Sequence, residues 1–241
     1  MNDQTERNTG LFYKIGAFSL FIVIAGIIAD IIIGNAVTSG DLSTLPKTAA
    51  GRFAEFNRNC WLGVYNLDLL NMVTQLILIP AFVALYMAHR KSMQAFAFLA
   101  LVIFLVGTTL FVANNTALPM YDLSRKWAVA DAGGKNMLEA AGEAMLARGA
   151  HGSPGVFLAF FIPTLGNLIM TWVMLYGKVF SKTTAWPGII GNILMLAYIA
   201  MVNFIPGFDK MAIAFAMPGG LLILVWMILV AVRLYKLSQT V

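Results

Sequence analysis

Charge is what this chain of 241 residues has least of: 11% of its residues are charged and 60% are hydrophobic, where a soluble domain carries roughly 25% charged residues. Water is therefore excluded as its main solvent. Cysteine is nearly absent too. Cys60 stands alone, which excludes an intrachain disulfide and a cysteine-based metal cluster and leaves a semi-buried free thiol as the plain reading. The two histidines, His89 and His151, fall on opposite sides of the membrane in the topology below, so neither a bis-histidine haem nor a histidine-rich intramembrane zinc site is expected. No lysine falls in the middle of an apolar run, which disfavours a retinal-type Schiff base. A phosphate-cradling glycine-lysine loop and a G-x-S-x-G nucleophile element are both missing.

These absences argue against an enzyme, and they leave no catalytic residue, metal or cofactor to name. Asp122 and Asp131, nine residues apart on a connector, do not form an aspartate-rich motif and read as solvated. The remaining route to chemistry is Asp68 as a general acid or base, should burial raise its pKa. The net charge of +5 does not indicate nucleic acid, because the basic residues stand singly or in pairs at the ends of apolar segments. Lipid headgroups are the expected counterions.

What the chain does have is apolar runs of about 20 residues, the length a helix needs to cross a bilayer. Six are expected: Ile15–Gly34, Leu62–Ala88, Met93–Asn114, Pro154–Gly177, Trp186–Phe204 and Asp209–Arg233. The first is longer than the roughly 7 to 15 residues of a signal-peptide core and is read as a retained helix. The fold class is thus an all-α polytopic transmembrane bundle, with residues 1–241 forming a single integral membrane domain. Arg7 and Lys14 precede the first span and no basic residue follows it until Lys47, which puts the N-terminus in the cytoplasm. Six spans bring the C-terminus to the same side, with Arg90, Lys91, Lys178, Lys182, Arg233 and Lys236.

Two connectors are long. In the second, Asn115–Ser153, the spacing of Met137, Leu138, Ala141, Met145 and Leu146 predicts an amphipathic helix over Lys135–Ala147, lying along the membrane surface. In the first, Pro46 opens a shorter segment whose Phe53, Phe56 and Trp61 suit the membrane interface. Together the connectors would cap the outer end of the bundle.

Ionisable residues inside spans are costly, so Asp30 and Asp68 are the default functional positions. Asp68, Asn71 and Gln75 are spaced i, i+3 and i+7, along one face of the second helix. Asn35, Asn114, Asn115, Asn203 and Asp209 also fall near outer span ends. A vestibule open to the outside would gather Asp30, Asp68, Asn71, Gln75, Asn114 and Asn203 around a cation, a proton or a polar head. The same groups would equally serve as interhelical hydrogen bonds worth roughly 0.6 to 2 kcal/mol each, with no ligand at all.

Pro80, Pro163 and Pro218 lie inside the even spans and predict kinks there, with none in the interiors of the odd spans. Asn167 and Thr171 continue the Pro163 face. Gly188, Gly191 and Asn192 make a small-residue face for close helix approach.

Two stretches carry a resemblance: Asn114-Asn115-Thr116-Ala117-Leu118-Pro119-Met120-Tyr121-Asp122-Leu123-Ser124 and Leu138-Glu139-Ala140-Ala141-Gly142-Glu143-Ala144-Met145-Leu146-Ala147. The chain resembles, from first span to last, an uncharacterised family of bacterial multi-pass membrane proteins catalogued as a domain of unknown function. That resemblance implies a helical bundle in a bacterial or archaeal plasma membrane and supplies no site residues. The expected partners are membrane lipids. The leading expectation is a transporter-like or sensory protein. The alternatives are an accessory subunit packed against a membrane-protein partner or a second copy of itself, and a lipid-modifying intramembrane enzyme.

Overall fold

A computed structural model describes residues 3–38, 45–205, 207 and 209–240, with the side chains of residues 3–6, 38, 209 and 210 outside that description. Asp209, expected near the vestibule, is therefore placed by its backbone alone. Helices account for the secondary structure of the described residues, and no strand is present among them. In chain order they are α1 (Asp3–Thr38), α2 (Ala49–Arg58), α3 (Cys60–Tyr65), α4 (Leu69–Ile77), α5 (Ile79–His89), α6 (Gln94–Asn114), α7 (Ala117–Val129), α8 (Ala132–Gly149), α9 (Phe157–Gly177), α10 (Lys182–Phe204) and α11 (Asp209–Ser238).

Six stretches are long and apolar enough to cross a membrane: Arg7–Val37, Leu69–His89, Gln94–Val129, Pro154–Gly177, Lys182–Phe204 and Met211–Ser238. They correspond one to one with the expected spans. At most 39% of the most apolar stretch of any span is buried, which leaves the outward faces for lipid, as with Ile22, Ile32 and Leu221. Consecutive spans pack side by side, and α1 closes on α11, so the six form a ring. Close approach comes from small residues. Gly107 of α6 lies against the Pro163 ring of α9, Gly166 against the Phe104 backbone, Gly16 against Ala81 and Ala84, and Gly191 against the Gly219 carbonyl. A Cβ at any of these would press into its neighbour, which is the packing that lipid-embedded helices use in place of a hydrophobic drive.

One end of the ring is filled. Phe82 stacks on Phe104 with centroids 3.7 Å apart, and Leu20, Met170, Met174 and Trp226 complete an apolar plug. The other end carries a cap of α2, α3, α7 and α8 with its own apolar core of Phe53, Phe56, Leu67, Met120 and Leu146. Three expectations change here. Phe53 and Phe56 are fully covered in that cap core, against Trp127 and Tyr121, instead of lying in the membrane interface; Trp61 remains 79% exposed. The connector helix runs over Ala132–Gly149, started by the Asp131 side chain accepting from the Gly134 amide, and the segment before it is a helix too. Pro187 falls inside α10, because the helix begins at Lys182, capped by Ser181, and not at Trp186. Proline within a span is thus not confined to the even ones.

Candidate functional site

The second span does not run as one helix from Leu62. It stops at Tyr65, turns through Asn66 and Leu67, and restarts at Leu69. Asp68 occupies the break with φ +60°, a left-handed conformation that Asp tolerates better than most side chains. The Leu67 carbonyl released by the break accepts from Asn115 Nδ2 at 2.9 Å, which ties the break to the start of the third connector. The expected stripe is corrected accordingly: Asn71 and Gln75 share a face of α4, while Asp68 stands at its start, outside the helix.

That position hands Asp68 to the opposite wall. Its Oδ1 accepts from Asn71 Nδ2 at 2.9 Å, and its Oδ2 lies 3.2 Å from His151 Nδ1. His151 Nε2 is 3.2 Å from the Tyr198 hydroxyl, and the ring sits edge-on to Phe160. Gly152 turns the chain with φ +76° just after this histidine, holding it over the mouth of the ring. Asp68 is 13% exposed and His151 43%. The Asp68 carboxylate raises the His151 imidazole to about 10, against the opposing effect of burial. Burial by itself pushes the Asp68 carboxyl up, but His151, the Asn71 amide and the Arg52 guanidinium together hold it below the ordinary carboxylate range. The rise by burial that an acid-base Asp68 was expected to need is thus offset by its neighbours. An imidazolium donates from both nitrogens, one to a carboxylate and one to a phenol oxygen.

Beneath this pair lies a cavity of about 420 Å³. Every span contributes to its wall: Ile27 from α1, Gln75 from α4, Phe111 from α6, Asn167 from α9, Asn203 from α10 and Ala216 from α11. Gln75 Nε2 donates to Thr108 Oγ1 at 3.2 Å, and Asn203 Nδ2 to the Ile199 carbonyl at 2.8 Å. The Oδ1 atoms of Asn167 and Asn203 are buried without a protein partner, a state that folded proteins rarely leave uncompensated.

Of the six sequence-chosen positions, Asn71, Gln75 and Asn203 line the cavity and Asp68 closes its mouth. Asp30 lies beside it. Its carbonyl accepts from the Tyr65 hydroxyl at 3.0 Å, and its carboxyl is in electrostatic range of Asp68 and His151. Asn114 does not belong to the cavity, because both ends of its amide are engaged, with Gly155 O and Arg148 Nε, at the joint of α6 with α8. Asn35 turns back to its own helix at Ile31 O. His151, Tyr198 and Thr164 went unchosen. A histidine in a connector and a tyrosine among apolar neighbours carry no periodic signal, and only the fold brings them to Asp68. Among the described residues no three His, Cys, Asp or Glu side chains gather as a metal site.

A ring of six helices long and apolar enough to cross a membrane, around a largely apolar cavity with several polar groups in its wall and capped at one end, defines the class: an all-α integral membrane protein. The sequence profile of a family described as Domain of unknown function (DUF4386) matches residues 15–231, and the chain belongs to that family. No curated protein and no solved structure matches the chain. Both stretches that carried the resemblance build the cap and its joint. Asn115 closes the break before Asp68, Glu139 Oε1 accepts from Trp127 Nε1 at 2.8 Å, and Glu143 Oε1 accepts from the Ala49 amide at 2.7 Å, at the start of α2.

Proposed function

We propose that the protein binds a small molecule in this cavity, as a transporter-like or sensory component of a bacterial or archaeal plasma membrane. In this reading the cap and the Asp68–His151 pair face outward and both termini lie in the cytoplasm, as the basic residues flanking α1 favour. One observation carries it. All six spans converge on an unfilled, largely apolar space with several polar side chains in its wall, and two amide oxygens of that wall have no protein partner. Packing alone would close the helices on one another and leave no such space. The size is that of a pocket for a small ligand.

The apolar plug at the far end supports a site reached from the capped end alone in this conformation, as alternating access or sensing requires. The test is an experimental structure in lipid nanodiscs at a resolution that shows ordered non-protein density. A small molecule or ordered waters touching Asn203 and Gln75 is the expected result. A cavity filled by a lipid tail, or collapsed with its amides paired to each other, would end the reading.

A further inference from the structure

The two helices of the second span are anchored very unequally. α5 buries Ala81, Phe82, Ala84 and Leu85 in the apolar plug. α4, on the side of the cap, buries none of its nine residues. Its Asn71, Thr74 and Gln75 line the cavity, while Val73 and Leu76 are each 41% exposed on the outside of the ring. α4 is therefore a wall one helix thick, and a segment with so few buried contacts is where a protein opens first.

Both ends of α4 are joints. At the cap end Asp68 turns the chain with φ +60°, and Leu67 before it is fixed in the cap core. At the plug end the helix is interrupted at Leu78, itself fixed in the plug, and Pro80 brings no amide proton to continue the ladder. A helix broken inside a membrane is tolerated where the freed backbone is bonded by protein or lines a cavity. Hinges of moving segments are a few residues at element ends that absorb a change of φ and ψ. Between its joints α4 is tied by single side chains. Gln75 Nε2 donates to Thr108 Oγ1 of α6 at 3.2 Å, and Asp68 pairs with His151 at 3.2 Å. Thr74 rests on α1 at Gly26, where an added Cβ would be 2.7 Å from the Thr74 Cγ2.

We propose that α4 is the gate of the cavity: it moves as one body between the Asp68 and Leu78 joints, gives up the Gln75–Thr108 bond, and widens the mouth at the capped end for an entering molecule. The plug and the cap stay in place, because Leu78 belongs to one and Leu67 to the other. The bond to Thr108 can break and remake in such a motion, since a hydrogen bond between helices in lipid is worth little more than thermal energy. This gating role rests on the binding role proposed above.

The test is hydrogen exchange on the full chain in lipid nanodiscs. Amides of α4 are expected to exchange roughly tenfold faster than those of α5. Gly26→Cys with Thr74→Cys, in a Cys60→Ser background, sets two cysteines within bridging reach. Oxidation should slow α4 toward the α5 rate, and reduction should restore it. Thr108→Val keeps the shape of the side chain, removes the tie to Gln75 and should speed exchange in α4 alone by roughly threefold, the worth of one interhelical bond in lipid. An α4 rate unchanged by Thr108→Val, or by a bridge that thiol titration shows to be closed, overturns the gate, as does equal exchange in α4 and α5. Access to the cavity is read separately from Thr164→Cys, a position in its wall, in the Cys60→Ser chain labelled by methyl methanethiosulfonate. Labelling should be faster when Thr108→Val is added. One rate with and without it leaves a reachable cavity whose wall does not move, and ends the gate alone. A thiol that reacts only after denaturation ends the binding role and the gate with it.

Discussion

His151 Nδ1 lies 3.2 Å from Asp68 Oδ2 although 83 residues separate the two in the chain. The contact joins the α8–α9 connector to the break in the second span, so it ties the cap to the ring at the mouth of the cavity. A bond that spans two structural units and involves a histidine should report itself through pH.

The sign follows from the two shifts. His151 is raised from 6.5 to about 10, so its contribution to stability is complete below 6.5 and is lost as pH climbs through about 10. Asp68 is lowered from 3.8, so its contribution is complete above 3.8 and is lost as pH falls through the depressed value. Comparing thermal unfolding of the wild type with His151→Gln between pH 4 and about 10.5 should show the largest difference in Tm from weakly acid to neutral pH and a shrinking one on the alkaline side. A difference independent of pH would mean that the pair contributes no charge interaction.

Asp68 tests backbone and charge separately. Asp68→Asn keeps a side chain that accepts the left-handed conformation and should fold with a small loss of Tm while losing the pH dependence. Asp68→Val adds about 1 to 2 kcal/mol of backbone strain and should unfold at clearly lower temperature. Identical melting of the two variants would show that the φ of +60° carries no cost in the folded protein.

The α6–α9 crossing depends on Gly107 meeting Pro163. Gly107→Val should destabilise by about 1 to 3 kcal/mol through overpacking, and Gly107→Val with Pro163→Ala should recover part of that loss, since neighbours in contact are not additive. Thermal unfolding in detergent measures both. Strict additivity would place the cost elsewhere.

Phe53 sits wholly inside the cap core. Phe53→Ala should cost about 3 to 5 kcal/mol there, and hydrogen exchange should rise in α2, α7 and α8 while the plug around Phe82 and Phe104 stays protected. Uniform loosening of ring and cap would show that the two form one cooperative unit.

The membrane-crossing helices were legible one by one because lipid imposes a local rule: about 20 apolar residues, with every backbone group bonded inside the helix. That rule acts on contiguous sequence, so all six spans could be read with boundaries that shifted mostly at their ends. Asp68, Asn71, Gln75 and Asn203 could be selected because polar residues stand out against an apolar background. Asp68 also shows the limit of that signal. Helical spacing put it on a stripe with Asn71 and Gln75, but Asn115, 48 positions from Leu67 in the chain, bonds Leu67 O across a break in the helix. A turn stabilised by a distant side chain leaves no periodic trace. Asn114 and Asn115 are adjacent and chemically identical, yet one latches α8 and the other closes the break.

What the sequence by itself determined is the solvent, the number of crossings and the presence of costly polar groups, since each follows from transfer energies of contiguous residues. Tertiary structure alone decided that the six helices close into a ring, that His151 and Tyr198 meet Asp68, and that Asn203 keeps an unpartnered oxygen beside a cavity. Those outcomes depend on which small residues face each other and where the helices break. They are set by contacts between residues far apart in the chain, and pairing of that kind has no period to read.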